Sequence, residues 1–218
     1  MSETPGDEIR LADPTPLGFG ALAVGTFLAG TYLAGWVSDW QWLALPFLYG
    51  GLVLVLTGMW EFNNRSTFGA TAFTLYGGIG LSLGTLGIFS LFGKGFAEGG
   101  MLMGWSMLSV AALTLFMVVW SLRTSMVSLL TFLALEVAEI LLAIAYFAQT
   151  DVLLTIAGYV AMVGGVLAWY ACAAGVINRM GERVVLGVGA PLWGGKADID
   201  RPGSPLPRLE LPLHPRTH

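Results

Sequence analysis

Of the chain's 218 residues, 56% are hydrophobic and only 11% charged, with a mean hydropathy of +0.74 and a single cysteine, Cys172. A soluble domain carries roughly a quarter charged residues; here five of the charged side chains fall in residues 1–16 and ten in 178–218, which leaves a lipid-compatible middle. A net charge of -4 offers no basic stripe, which sets nucleic acid aside, and one cysteine with two tail histidines, His214 and His218, excludes a disulfide framework and leaves almost nothing to ligate a metal.

Residues 1–16 are polar and net acidic, unlike the basic start of a secretory signal, and read as a cytoplasmic N-terminal segment. Six apolar blocks follow, each near the roughly 20 residues that carry a helix across a hydrocarbon core of about 30 Å. The first runs over 17–37 and is led in by Pro14 and Pro16, which suit a first helical turn because its N–H groups lack partners. The second covers 42–60. The third, over 68–92, follows the capping segment Asn63 to Thr67. The remaining blocks are 100–120, 126–147 and 152–177. Residues 178–218 hold six of the ten prolines and read as a proline-rich cytoplasmic tail.

Only helices and closed barrels satisfy every backbone group in lipid, and these runs lack the alternation of barrel strands. The predicted fold is all-α: a bundle of six transmembrane helices over 17–177. Placing the N-terminus in the cytoplasm puts Arg10, Arg65, Arg123, Arg179, Arg183 and Lys196 inside against Lys94 outside, so both termini are expected there. The same orientation places Trp36, Trp40, Trp42 and Trp105 in the outer aromatic belt, with Trp60 and Trp120 in the inner one.

Lipid competes with Leu for contact, so helices in a bilayer associate through small residues that let backbones approach. Ala21, Gly25 and Ala29 recur every four residues on the first helix, Gly80 and Gly84 form GxxxG on the third, and Ala161 and Gly165 repeat the spacing on the sixth. Leu-Tyr-Gly-Gly occurs at 48–51 and again at 75–78, and of its two tyrosines Tyr76 is the better candidate to offer a hydroxyl to a crossing solute.

Ionisable groups at bilayer depth are costly enough to be functional candidates by default. Glu136 and Glu139 sit at i and i+3 on the fifth helix, about 60° apart on one face, with no Lys or Arg expected in any span to neutralise them. Two carboxyls so close in low dielectric favour retention of a proton, which makes them candidates for proton coupling; the alternative is hydrogen bonding to Ser or Thr of neighbouring helices or a meeting across an oligomer interface. No buried Lys is available for a Schiff base, no span carries a His for haem, and Glu61 and Asp39 stand alone, so neither a cofactor nor an enzyme is expected. Passive or proton-linked transport of a small solute remains. Besides a carboxylate, a small neutral solute such as urea or a short amide fits a narrow hydroxyl-lined gate, and a tail-mediated sensor or scaffold is the third reading.

The segment Asp13-Pro14-Thr15-Pro16-Leu17-Gly18 resembles the N-P-A-P-L-G signature of the acetate uptake transporter family, the succinate–acetate permeases. Gly58-Met59-Trp60-Glu61-Phe62, then Thr67 to Phe73, then Tyr76-Gly77, is similar to that family's G-x-x-E-[FY]…T-F-G-x-T-A-F-x-x-Y-G stretch. The resemblance spans about 14–178. It implies a homo-oligomer, typically a hexamer, whose subunits each pass acetate and related small monocarboxylates, in some members succinate, as channels or proton symporters. It also implies a constriction at Leu22, Tyr76 and Leu135, with Leu22 standing where the family has Phe. Asp13 in place of Asn, and the pair Glu136 and Glu139, are further departures. With no cation in the spans, a carboxylate must rely on amides, hydroxyls, helix N-termini or prior protonation. The hydroxyls of Thr26, Thr71 and Tyr76 are the expected substitutes for its water, and a fixed anion at Glu139 would repel it unless protonated or paired.

Overall fold

A computed structural model describes residues 12–93, 100–180 and 184–193. Six helices follow in chain order: α1 (Thr15–Leu33), α2 (Ala44–Asn63), α3 (Thr67–Leu91), α4 (Gly100–Ser121), α5 (Met126–Ala148) and α6 (Asp151–Met180), with a short 3₁₀ turn, Trp40–Leu43, before α2. All six are long and apolar enough to cross a membrane. Two starts are fixed by hydroxyls: Ser66 Oγ accepts the Gly69 N–H, and Ser125 Oγ accepts the Ser128 N–H.

Three bounds differ from the sequence reading in ways that matter. α1 stops at Leu33 rather than reaching residue 37, because Gly35 takes a φ of +76° and the Trp36 N–H turns back onto the Thr31 carbonyl. α2 runs on to Asn63 and so carries Glu61. α6 continues to Met180, which brings Arg179 into its last turn, beyond the 152–177 block read from the sequence. At 30 residues α6 is about 45 Å long, longer than the hydrocarbon core, and its end projects beyond it.

The helices associate as small residues dictate. α2 packs most extensively on α3, and α1 on α6. Gly51 and Gly77 face each other so closely that a Cβ on either would lie 2.8 Å from the other's carbonyl oxygen. The repeated tetrapeptide is therefore a packing device in its glycines, and its two tyrosines diverge: Tyr49 is 61% exposed while Tyr76 turns inward. On the other seam a Cβ at Gly30 would meet the Gly158 carbonyl at 2.7 Å, and one at Gly165 would meet Phe27. Gly84 of the GxxxG pair lies against Leu48.

Trp36, Trp42 and Trp105 are exposed at the end where α1 finishes and α2 and α4 begin, and Trp60 and Trp120 are exposed at the opposite end. That opposite end also holds Arg65, Arg123 and Arg179. Arg10, Lys94, Arg183 and Lys196 lie outside the described residues. Residues 184–193 fold back across the Arg end: the Val188 carbonyl accepts the Val127 N–H, the Trp193 N–H reaches the Leu122 carbonyl, and Asn178 bonds both neighbouring N–H groups of Val185 and Leu186. Arg123 stacks on both Trp120 and Trp193.

Candidate functional site

Two cavities follow one another along α1, α5 and α6. The first, of about 140 Å³, is bounded by Leu22 and Thr26 of α1, Tyr76 of α3 and Leu135 and Glu139 of α5. Gly50 and Gly51 of α2 and Gly80 of α3 supply the room by having no side chains. The second, of about 240 Å³, opens where α1 begins and α6 ends, and is bounded by Thr15, Phe19, Ser125, Ser128, Asn178 and Arg179.

An aromatic layer separates them. Phe19 borders the second cavity and packs edge-on against Phe73 and Phe132, with ring centroids 5.6 and 6.3 Å away. Phe132, 1% exposed, also meets Phe68 at 5.4 Å and Tyr76 at 6.2 Å. Leu22, one turn along α1 from Phe19, and Leu135, next to Phe132 by the same spacing on α5, belong to the same buried cluster. Edge-on rings and the two leucines thus form one buried cluster that borders both cavities.

Tyr76 is turned into the bundle. Its hydroxyl lies 2.6 Å from Thr114 Oγ1 and 3.1 Å from Glu139 Oε1, and Thr114 Oγ1 lies 2.5 Å from Glu139 Oε2. Three helices, α3, α4 and α5, are tied at one point by one phenol, one alcohol and one carboxyl. The expected alternative for Glu139, a hydroxyl on a neighbouring helix, is what the structure shows.

Leu22, Thr26, Tyr76, Leu135 and Glu139 therefore come together, and two expected residues do not join them. Thr71 is half-buried on α3 and borders neither cavity. Glu136 is buried but lies outside both cavities, beside the exposed Leu133, Val137 and Ile140, and its Oε2 has no partner among the described residues. The 60° between i and i+3 suffices to send one carboxyl into the bundle and leave the other toward its periphery.

Sequence reasoning missed three features. Thr114 is fully buried, and nothing in the sequence set it apart from the other hydroxyls of α4, Ser106, Ser109 and Ser121. The Phe19–Phe132 layer read as ordinary apolar sequence. Glu61 does not stand alone, which corrects that expectation: it is fully buried, and Thr15 Oγ1 lies 2.6 Å from both Glu61 Oε1 and Asp13 Oδ1. Asp13 in turn pairs with Arg179 at 2.5 Å, so the charge this chain places where the family has an amide has a counter-ion. Gly69 leaves space for the acid, since a Cβ there would be 2.6 Å from the Glu61 carboxyl carbon. Among the described residues no group of His, Cys, Asp and Glu is arranged to hold a metal.

Residues 2–188 match the sequence profile of the GPR1/FUN34/yaaH family. The chain belongs to this family. It is 31% identical over 181 residues to the succinate-acetate/proton symporter SatP of Escherichia coli K12, a match covering 83% of this chain and 96% of that one. It is also 31% identical over 208 residues to acetate permease A of Emericella nidulans, covering 84% of this chain and 68% of the relative. A solved structure of the bacterial acetate channel SatP superposes with a TM-score of 0.79 at 29% identity, covering 83% of this chain and all of that one. Family membership agrees with the resemblance read from the two signatures. Together with six apolar helices it makes this a multi-pass membrane protein.

Proposed function

We propose that this chain is a membrane transporter or channel for acetate and similar small monocarboxylates, succinate among the candidates, rather than an enzyme. The observation that carries the reading is the first cavity, in which Leu22, Tyr76 and Leu135 meet with one hydroxyl-bearing wall residue, Thr26. Its size suits a solute of a few carbons, and glycine walls give it room without adding charge. The names of the relatives, a succinate-acetate/proton symporter and an acetate permease, point to the same solute class.

The solute leaves the second cavity, passes the Phe19–Phe132 layer when those rings rotate, and exchanges water for the hydroxyls of Thr26 and Tyr76 at the constriction. Thr71 has no contact with this path and drops out of it. Glu139, with Glu136 one turn away, supplies the proton-coupling site. Both termini and the Arg end of the bundle face the cytoplasm, supported by Arg65, Arg123 and Arg179 at that end, with the polar segment 1–16 and the tail 178–218 on the same side of a plasma or inner membrane. The assembly is a homo-oligomer, a hexamer by the family resemblance.

Labelled acetate and labelled urea, offered separately to vesicles containing the protein, test the reading. Acetate is expected to enter faster than into protein-free vesicles, and faster still at acid external pH, with urea at the protein-free rate. Urea entry that outpaces acetate would assign the cavity to neutral solutes instead.

A further inference from the structure

The Tyr76 ring borders the first cavity, where Gly50, Gly51 and Gly80 present no side chain to stop it from swinging. Its ring contact, with Phe132, is a tilted one at 45° and 6.2 Å between centroids. The firmer restraint is on the hydroxyl, which lies 2.6 Å from Thr114 Oγ1 on α4 and donates to Glu139 Oε1 on α5 at 3.1 Å.

These two partners differ in stiffness. Thr114 is fully buried and β-branched, so its first side-chain torsion is tightly restricted. Its Oγ1 also bonds the Val110 carbonyl one turn back at 3.0 Å, which ties the oxygen to the backbone of α4. Glu139 reaches the junction through a longer, unbranched side chain, and its Oε2 is itself held by Thr114 at 2.5 Å. Thr114 therefore fixes the phenol directly and the carboxyl as well. It does so from behind: α4 brings Met107 and Val110 to the cavity wall, and Thr114 is not part of that wall.

We propose that Thr114 is a positioning residue that sets the chain-length selectivity of the constriction: from α4 it pins the Tyr76 phenol, so that the gap between Leu22, Tyr76 and Leu135 keeps one width. This rests on the acetate reading above and adds to it a residue that touches no solute. Without the Thr114 oxygen the phenol is left bonded to Glu139 alone. The two side chains then move together beside the glycine-walled space, and a longer acid gains room to pass. A phenylalanine at position 76 has no hydroxyl to follow the carboxyl and stays packed on Phe132, so whatever Thr114 does to selectivity has to pass through the phenol oxygen.

Labelled acetate and labelled butyrate, given separately to vesicles containing the full-length protein at one fixed pH, report selectivity as the ratio of their entry rates after subtraction of protein-free entry. Thr114→Val, alike in shape but without the oxygen, should raise the butyrate-to-acetate ratio about fivefold or more, while Thr114→Ser, which keeps the oxygen, should stay within about twofold of wild type. Adding Tyr76→Phe to Thr114→Val should return the ratio to the wild-type range. If the valine variant does not fold, Thr114→Ala is read in the same way. A fall in both entry rates with an unchanged ratio makes Thr114 a packing residue and overturns the proposal, with the acetate reading left standing. A raised ratio that survives Tyr76→Phe, or that Thr114→Ser shares, overturns it too. Wild-type protein that admits neither acid faster than protein-free vesicles overturns the acetate reading on which the proposal rests.

Discussion

Two buried glutamates in this protein use the same chemistry to different ends. Glu61 and Glu139 each share a threonine hydroxyl with a second oxygen group, Asp13 in one case and Tyr76 in the other. Glu139 borders a cavity and keeps one face toward it, while Glu61 is sealed among α1, α2 and α3 with Gly69 against its carboxyl. A carboxyl in a membrane bundle is therefore not a transport residue by virtue of depth alone. What separates the two is whether a void lies beside it, and that is a property of the neighbouring helices' small residues.

If that contrast is right, substitution should hurt stability at one site and flux at the other. Glu61→Ala opens a hole in a filled region and leaves the Thr15 hydroxyl to Asp13 alone, and is expected to cost about 2–4 kcal/mol in unfolding measured in detergent. Flux per folded molecule should change little. Glu139→Gln keeps the volume and oxygen contacts to Tyr76 and Thr114, so its stability cost should be below about 1 kcal/mol while its transport changes. Equal destabilisation by the two variants would break the comparison.

Tyr76→Phe tests the cavity-side junction next. The ring and its squeeze on the solute remain, but the hydroxyl that bonds Thr114 is gone. Transport should fall by about tenfold, the equivalent of one hydrogen bond of about 1.4 kcal/mol lost in an apolar site. Thermal unfolding should shift little. A variant that transports at the wild-type rate would reduce Tyr76 to a packing residue.

Thr26→Val and Thr71→Val sharpen the contrast on smaller effects. Thr26 borders the cavity, and loss of its hydroxyl should slow acetate entry about two- to threefold. Thr71 borders neither cavity, so its valine variant should be indistinguishable from wild type in the same vesicle assay.

Much of this architecture could be read from the chain because the bilayer imposes it. Run length gives the six helices; of the small-residue repeats, Gly80, Gly84 and Gly165 do mark close helix approach, while Ala21, Gly25 and Ala29 line the first cavity. The site was legible where a residue type is rare at depth, as with Glu139, or sits in a quoted motif, as with Tyr76. Thr114 escaped because a hydroxyl in an apolar helix usually bonds its own carbonyl at i−4, as the structure shows for Ser106 and Ser109. Phe19 and Phe132 escaped because only the meeting of α1 and α5 turns two ordinary core side chains into a barrier. Glu61 was misjudged because its partner Thr15 lies 46 positions earlier, beyond any local pattern.

Asp13→Asn probes the outer end of the Glu61 cluster and should have the smallest effect. Arg179 is 55% exposed, so its pair with Asp13 is hydrated and screened, and such pairs contribute about 0–1 kcal/mol. Asparagine retains an oxygen for the Thr15 N–H and hydroxyl, so the local bonds at the start of α1 survive. The unfolding temperature should drop slightly in low salt and converge with wild type as salt is raised, because screening removes what the substitution removes. A large, salt-independent loss would mean that Asp13 acts through Thr15 on the buried carboxyl rather than through Arg179, and would join the surface pair to the sealed node as one unit.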